Sequence, residues 1–236
     1  MRKFLLIIVM MAFLLEARSA LAAGYFNGAY LGASSTLTMT AGSTAKTMLF
    51  WGKKDADTAG FLGGFFGGTA YYIFDMDRGG AGVGNNVVCR VNGTAALSGA
   101  GARAGVWMGY ACTVNTGNTI TAYQFNPDLT LYTSGTATYG GTDSSDSLYI
   151  GWGAGTSYWR GSIRNFQFFP YAMTQRQIRN ALAANSPYRI GTPDYFCPLT
   201  SGNDMRCWLN GAKKLLAVVV AGATTVKDPP IGLLPF

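Results

Sequence analysis

Side chains able to carry out chemistry are scarce in this sequence, and its acidic residues are almost all aspartates. After Ala22 the chain contains neither glutamate nor histidine. Serine–histidine and cysteine–histidine nucleophile systems need a histidine base, and hydrolytic zinc sites rely mainly on histidine ligands. The composition argues against all three chemistries, and we expect a protein that is not an enzyme.

Two aspartates, Asp75 and Asp77, stand two residues apart in a stretch with the character of a strand. Alternate strand positions share one face, so both carboxylates would lie side by side. Such a pair can hydrolyse glycosides, but the flanking Arg78 and glycines favour a salt-bridged strand end. Because calcium needs only oxygen ligands, Asp75/Asp77 and the loop with Asp143 and Asp146 are candidate calcium sites. Ordinary turn aspartates that cap backbone N–H groups are the alternative.

Aromatic residues cluster around a glycine-rich turn at 151–155, with Trp152 inside the turn and Tyr158 just beyond it. Exposed rings stack on the apolar faces of sugars, while aspartate, asparagine and arginine bind sugar hydroxyls. The sequence therefore predicts a ligand-binding site near this turn. Its predicted members are Trp152, Tyr158, Arg160, Asp143 and Asp146.

The composition of the 236-residue chain is typical of an all-β protein. Charged residues make up 12% of the sequence and glycine occurs 32 times, which suits many tight turns. This length can bury a sizeable core. The basic residues are scattered and form no stripe, so we expect no nucleic-acid partner.

The N-terminus has the pattern of a secretory signal peptide. Arg2 and Lys3 precede an apolar run at 4–15, and 20–22 is a small-residue cleavage site. We predict cleavage after Ala22, with a retained apolar anchor as the alternative. Cleavage leaves 15 basic and 10 acidic residues, a formal charge of +5, and no membrane span.

The four cysteines fit an oxidising compartment and allow three pairings. We favour Cys89–Cys112, because each lies in a predicted central strand of the same domain. Cys197–Cys207 would then close a short loop further on. No C-x-x-C pair is present, so metal binding by these cysteines is not expected.

The stretch 148–182 contains a strand, the glycine turn, a second strand at 158–169 and a helix at 175–184 capped by Thr174. Strict alternation along the second strand puts Trp159, Ile163 and Phe169 on one face and Phe166 and Phe168 on the other. Trp107 and Trp159 are expected to be core residues. A polar loop is expected at 140–147, and one strand at 215–220.

This order of elements resembles the end of a laminin G-like domain of the concanavalin A-like superfamily. A second stretch at 105–123 is similar to a central strand, hairpin and strand of that family, and the resemblance covers about 24–184. Arg164 and Asn165 depart from it, because the family usually has an acidic residue there. The positions that match are Leu148, Tyr149, Ile150, Gly151, Trp159, Gly161, Ile163, Phe166, Phe168, Ala172, Met173, Thr174 and Ile178, with Trp107, Ala111, Thr113, Val114, Gly117 and Tyr123.

The resemblance implies an all-β, antiparallel two-sheet jelly-roll sandwich with one short C-terminal helix and an extended tail. We divide the chain into a signal peptide at 1–22, the laminin G-like sandwich at 23–184 and a C-terminal extension at 185–236. Many domains of this family carry calcium on a rim. The glucanase branch uses a Glu-x-Asp-x-x-Glu strand, and Asp75-Met76-Asp77 lacks both glutamates.

The function expected from these features is a secreted, non-catalytic, lectin-like module that recognises glycans or a surface protein. Its location would be extracellular or periplasmic. The alternative is a structural protein of a virion or surface assembly, which would use the C-terminal extension for packing or self-association.

Overall fold

The structure is a computed structural model, and it describes residues 22–27, 31–55, 60–66, 72–78, 86–91, 94–101, 103–151, 159–184, 193, 195–197, 199, 206–209, 212–215, 217–218 and 224–227. These residues form two antiparallel sheets of ten and seven strands and one helix, α1 (Gln175–Ala183). Sheet A contains β1 (Ala22–Asn27), β3 (Lys46–Lys54), β8 (Trp107–Val114), β9 (Thr119–Phe125), β10 (Leu131–Thr138), β12 (Arg160–Phe169), β13 (Tyr195–Cys197), β14 (Arg206–Leu209), β15 (Ala212–Leu215) and β17 (Thr224–Lys227). Sheet B contains β2 (Leu31–Thr40), β4 (Gly60–Phe66), β5 (Tyr72–Arg78), β6 (Asn86–Val91), β7 (Thr94–Gly101), β11 (Thr142–Ile150) and β16 (Ala217–Val218).

The chain crosses repeatedly between the two sheets. Sheet A has the order β10-β9-β8-β3-β12-β13-β14-β15, and sheet B has the order β16-β2-β11-β4-β5-β6-β7. The connections from β2 to β3, β7 to β8, β10 to β11 and β11 to β12 all change sheet. This topology confirms the predicted all-β, two-sheet antiparallel sandwich.

The main core lies between the sheets. Phe50 of β3 stacks on Phe166 of β12 with ring centroids 6.0 Å apart, and Trp159 packs edge-on against Tyr110 at 6.5 Å. Trp159 is fully buried, which confirms that it is a core residue. Burial of each such large side chain contributes roughly 1.5–3 kcal/mol.

The two sheets are also joined covalently. Cys89 on β6 and Cys112 on β8 form a disulfide, which is the pairing favoured from the sequence. Cys197 on β13 is disulfide-bonded as well. Cys207 lies on β14, and its side chain is outside the described set, so the Cys197–Cys207 pairing stays a prediction.

Helix α1 packs on the outer face of sheet A. Its predicted cap is confirmed: Gln177 N–H donates to Thr174 Oγ1 at 3.3 Å, and Thr174 N–H donates to Gln177 Oε1 at 2.8 Å. Trp51 Nε1–H donates to Leu182 O at 2.9 Å and fixes the end of the helix on the sheet. This second cluster contains Leu49, Trp51, Trp107, Ala111, Phe125, Phe169, Met173, Ile178, Ala181 and Leu182. Trp107 is 8% exposed and is therefore also a core residue, as expected.

A β-bulge in β12 corrects the predicted alternation of that strand. Its pairing with β3 shifts register between Arg164 and Gln167, where Asn165 has φ = 52°. The extra residue brings Ile163 and Phe166 onto the same inward face, although they are three positions apart. Asparagine tolerates this left-handed conformation better than most residues, which gives a structural reason for Asn165 at this position.

Two sequence predictions of local structure were wrong. The predicted polar loop at 140–147 lies largely within β11, because β2 offers backbone partners from Thr40, opposite Thr142, to Leu31, opposite Ile150. The predicted single strand at 215–220 is also wrong for its described residues, because Leu215 ends β15 in sheet A and Ala217–Val218 form β16 in sheet B. Both β11 and β16 pair with β2, which is distant from them in sequence, whereas β15 pairs with the neighbouring β14.

The C-terminal strands complete both sheets. β13 pairs with β12, β17 pairs with β1, and β16 pairs with β2. The extension therefore continues the sandwich within the same chain.

The predicted signal peptide falls on residues 1–21, which lie outside the described set, and on Ala22, the first residue of β1. Among the helices of the described residues, none has the length and apolar character needed to cross a membrane.

Candidate functional site

The connection that carries Trp152 and Tyr158 has a tightly fixed base. Trp159 N–H donates to Gly151 O at 2.9 Å, which closes the chain around 152–158. Gly151 has φ = 85°, and a Cβ there would lie 2.6 Å from the ring of Phe26. Only glycine fits this position, which explains why Gly151 is the residue at the start of the turn. Residues 152–158, including Trp152 and Tyr158, are outside the described set.

Beneath this base, Trp159 packs against a buried cation. The Lys54 Nζ lies 5.2 Å from the centroid of the Trp159 ring, and Lys54 is 1% exposed. A cation over an indole face is attracted by the ring quadrupole. The contact joins the end of β3 to the start of β12 below the predicted site.

Arg160, another member of the predicted ligand-binding site, is exposed at the start of β12. Its backbone is held on both sides: Asn27 of β1 pairs with it, and its carbonyl accepts a hydrogen bond from Asp55 N–H at 3.1 Å. An arginine whose backbone is held in place and whose side chain is exposed to solvent suits the recognition of a polar ligand.

The same end of the sandwich is rich in positive charge. Gly105 N–H donates to Lys54 O at 2.7 Å, which holds the segment with Arg103 beside the end of β3. Lys53 is half-buried, Arg103 and Arg160 are exposed, and Asp55 is the exposed acid among these residues. We call this part of the surface, made of residues 53–55, 103–105 and 160, the loop end, because the two residues that flank the connection 152–158, Gly151 and Trp159, are bonded to each other there.

Asp143 and Asp146 are not in the loop that the sequence predicted, because both lie in β11. At about 3.3 Å per residue, Asp143 is about 26 Å and Asp146 about 16 Å along the strand from Gly151. Asp143 is opposite Met39 at the far end of β2. The structure therefore brings Arg160 to the base of the predicted site and places Asp143 far from it.

Asp75 and Asp77, the predicted calcium ligands, occupy alternate positions of β5. Asp75 is in register with Arg90 of β6, and Asp77 with Val88. The side chains of both aspartates are outside the described set. Among the residues whose side chains are described, no group of three or more acidic, cysteine or histidine side chains could hold a metal ion. The calcium role of this pair stays a prediction.

Sequence reasoning missed a polar surface on the outer face of sheet A. We call it the threonine face and define it as Thr113, Thr119, Thr121, Tyr123, Ser134, Thr136 and Thr138. The alternation of these residues within 119–123 and 134–138 was a readable signal. Only the pairing of β8, β9 and β10 shows that they form one surface.

The two-sheet antiparallel sandwich, with a helix on one outer face, defines a protein of the lectin-like jelly-roll class. Residues 26–179 match the profile of a laminin G family described as the Concanavalin A-like lectin/glucanases superfamily. The chain belongs to this superfamily, as the sequence resemblance predicted.

Solved structures show the same fold. A candidate carbohydrate binding protein from Bacteroides ovatus is 15% identical with a TM-score of 0.68, covering 92% of this chain and 62% of that one. A native heptameric SAP-like pentraxin from Limulus polyphemus is 15% identical with a TM-score of 0.54, covering 71% and 85%. The chain thus spans about 62% of the length of the Bacteroides ovatus protein. The sequence matches none of the curated proteins.

Proposed function

We propose that the chain is a secreted, non-catalytic, lectin-like module that binds glycans or a surface protein through the loop end. The observation that carries this proposal is the fixed base of the connection 152–158. The Gly151–Trp159 hydrogen bond and the buried Trp159 hold both ends of a segment that contains Trp152 and Tyr158. A segment whose two ends are anchored on a rigid scaffold loses less entropy on binding than one with free ends.

The side chains at the loop end suit a sugar or an acidic surface. Trp152 and Tyr158 are aromatic and can stack on a sugar ring, and Arg160, two positions after Tyr158 in the sequence, is exposed. Arginine donates hydrogen bonds in a planar fork to hydroxyl or carboxylate groups. The positive charge of Lys53 and Arg103 would favour ligands that carry an acidic group.

Two further features support a secreted and non-catalytic protein. The Cys89–Cys112 disulfide is of a kind that forms and persists in oxidising compartments. The chain after Ala22 has no glutamate and no histidine, so the usual carboxylate and histidine mechanisms lack their residues.

The alternative, an assembly protein that packs through its C-terminal extension, has less support. Strands β13, β16 and β17 form their hydrogen bonds with strands of the same chain. These strands are therefore already paired within the sandwich. The assembly role of the extension stays a prediction.

A glycan array with wild-type protein and Trp152→Ala tests the proposal. Tyr171→Ala is the matched control, because Tyr171 is a half-buried aromatic residue whose carbonyl accepts from Thr47 Oγ1, about 23 Å along β3 from Lys54. We expect Trp152→Ala to lose binding and Tyr171→Ala to keep it. Equal binding by wild type and Trp152→Ala, with circular dichroism showing both folded, would rule out this site.

A further inference from the structure

The threonine face is an ordered array of hydroxyl groups on sheet A. One row crosses four neighbouring strands in register: Thr47 of β3 is opposite Thr113, Thr113 is opposite Thr121, and Thr121 is opposite Thr136. A second row pairs Thr119 with Thr138, and a third pairs Tyr123 with Ser134. Neighbouring strands are about 4.8 Å apart, and residues on one face repeat about every 6.7 Å along a strand. The hydroxyls therefore form a regular grid.

The grid faces away from the main core. Cys112, Ile120 and Ala122 lie in the core between the sheets, so the alternate residues of β8 and β9 face outward. Exposure increases along the first row, from a buried Thr113 through a half-buried Thr121 to an exposed Thr136. The side chains of this surface are therefore most exposed on β10.

The segment that leads into α1 covers one end of the first row. Thr47 Oγ1 donates to Tyr171 O at 2.8 Å and accepts from Met173 N–H at 2.9 Å. Among the described residues, no protein group forms a hydrogen bond with the side-chain hydroxyls of Thr121, Thr136 or Thr138. Those three hydroxyls are available to a ligand.

The face is neutral and has an aromatic end. Strands β9 and β10, with the sequences TITAYQF and LYTSGTAT, contain no charged residue. Tyr123 stacks on Phe125 with ring centroids 6.1 Å apart and planes 22° apart, and Leu131, opposite Phe125, is 39% exposed. Along about 13 Å of strand, the surface therefore changes from hydroxyl groups to apolar side chains.

We propose that the threonine face binds a neutral, extended polysaccharide. The threonine hydroxyls would donate to and accept from sugar hydroxyls, and the aromatic end would contact the apolar face of a sugar ring. A nucleic acid would need cationic side chains, and a protein partner would usually need a larger aromatic or arginine-rich patch. A neutral surface of hydroxyl groups that ends in the half-buried Tyr123 and the exposed Leu131 matches neither.

The hydroxyl rows of this surface are separate from the loop end. The row through Thr47, which contains Thr121 and Thr136, lies about 23 Å along β3 from Lys54, where the loop end begins. The aromatic end lies closer to it, because Tyr132, next to Leu131, has its ring centroid 6.0 Å from Arg103 Cζ. The proposal therefore does not depend on the function proposed above, and the two are tested by different variants.

The test is a pull-down of the protein with insoluble cellulose, xylan, mannan and β-1,3-glucan. Thr121→Val with Thr136→Val removes two hydroxyls while keeping side-chain shape and strand propensity. Thr142→Val is the matched control, because Thr142 is an exposed threonine on sheet B.

We expect wild type to bind at least one of these polymers and the double variant to bind it about tenfold more weakly, since two hydrogen bonds are lost. Thr142→Val and Trp152→Ala should bind it like wild type. The proposal is overturned if wild type binds none of the four, or if the folded double variant binds like wild type. It is also overturned if Trp152→Ala alone removes binding, which would assign that polymer to the loop end.

Discussion

Cys89 in sheet B and Cys112 in sheet A are joined across the core, with their Cα atoms 5.5 Å apart and both side chains fully buried. The two residues are 23 positions apart in the sequence. In the folded protein the bond therefore joins the two sheets. In the unfolded chain it closes a short loop between Cys89 and Cys112, which lowers the conformational entropy of the unfolded state.

Replacement of both Cys89 and Cys112 by alanine is expected to lower the free energy of unfolding by about 3 kcal/mol, with a further loss from the two small cavities. Urea denaturation of wild type and variant measures the difference. Dithiothreitol should destabilise the wild type more than the variant. If the unfolding midpoint of the variant equals that of wild type, the disulfide does not contribute to stability.

The bulge at Asn165 gives a second prediction. Asn165→Gly should be nearly neutral, whereas Asn165→Val should destabilise the protein by about 1–3 kcal/mol, because φ = 52° is costly for a β-branched residue. Thermal unfolding of both variants makes the comparison. Equal stability of the valine and glycine variants would show that this backbone conformation is not maintained.

Sequence patterns predicted the parts of the fold that depend on near neighbours. The Thr174 cap and helix α1 follow from a local capping box and the spacing of Ile178 and Leu182. The bulge at Asn165 was not predictable from alternation, because it requires the register between β12 and β3. The threonine face was missed for the same reason, since its rows cross two to four strands.

The candidate site was predicted only in part. Arg160 and the glycine turn at Gly151 are close in sequence, and the structure keeps them together. Asp143 was grouped with them because 140–147 has the composition of a loop. Its pairing with β2 extends that segment into a strand and carries Asp143 to the other end. Residues that are near each other in sequence lie far apart in space when the segment between them is an extended strand.

Removal of the C-terminal strands is the third test. A chain that ends after Ala184 lacks β13 to β17, so β12, β1 and β2 lose neighbouring strands in both sheets. We expect this chain to be unfolded or aggregated, while one that ends after Lys227 stays folded. Circular dichroism and size-exclusion chromatography separate the outcomes. A folded monomer after truncation at Ala184 would show that the extension is dispensable.

Asp128 predicts a pH dependence. The hydroxyl and N–H of Thr130 both donate to Asp128 Oδ1, at 2.7 and 3.0 Å, and these bonds hold the pKa of Asp128 below its usual value. A lowered carboxyl pKa stabilises the fold at pH values above the ordinary aspartate range, and this contribution is lost as the pH falls through the lowered pKa.

The melting temperature of wild type and Asp128→Asn between pH 2 and pH 7 should therefore differ slightly above about pH 4 and converge in acid. Thr130→Val, which removes the hydroxyl donor, should bring the pKa of Asp128 back toward its usual value in an NMR titration. A pKa of Asp128 that is unchanged in Thr130→Val would contradict the assignment of its cause.

The most direct test of the proposed function is chemical-shift mapping with the ligand that the glycan array selects. Backbone amide signals of ¹⁵N-labelled protein are recorded as that glycan is added. The loop-end proposal predicts shifts at Gly151, Trp159, Arg160 and Asp55, with little change at Thr121 and Thr136. Shifts that leave Gly151 and Arg160 unchanged and lie elsewhere on the sandwich would contradict it.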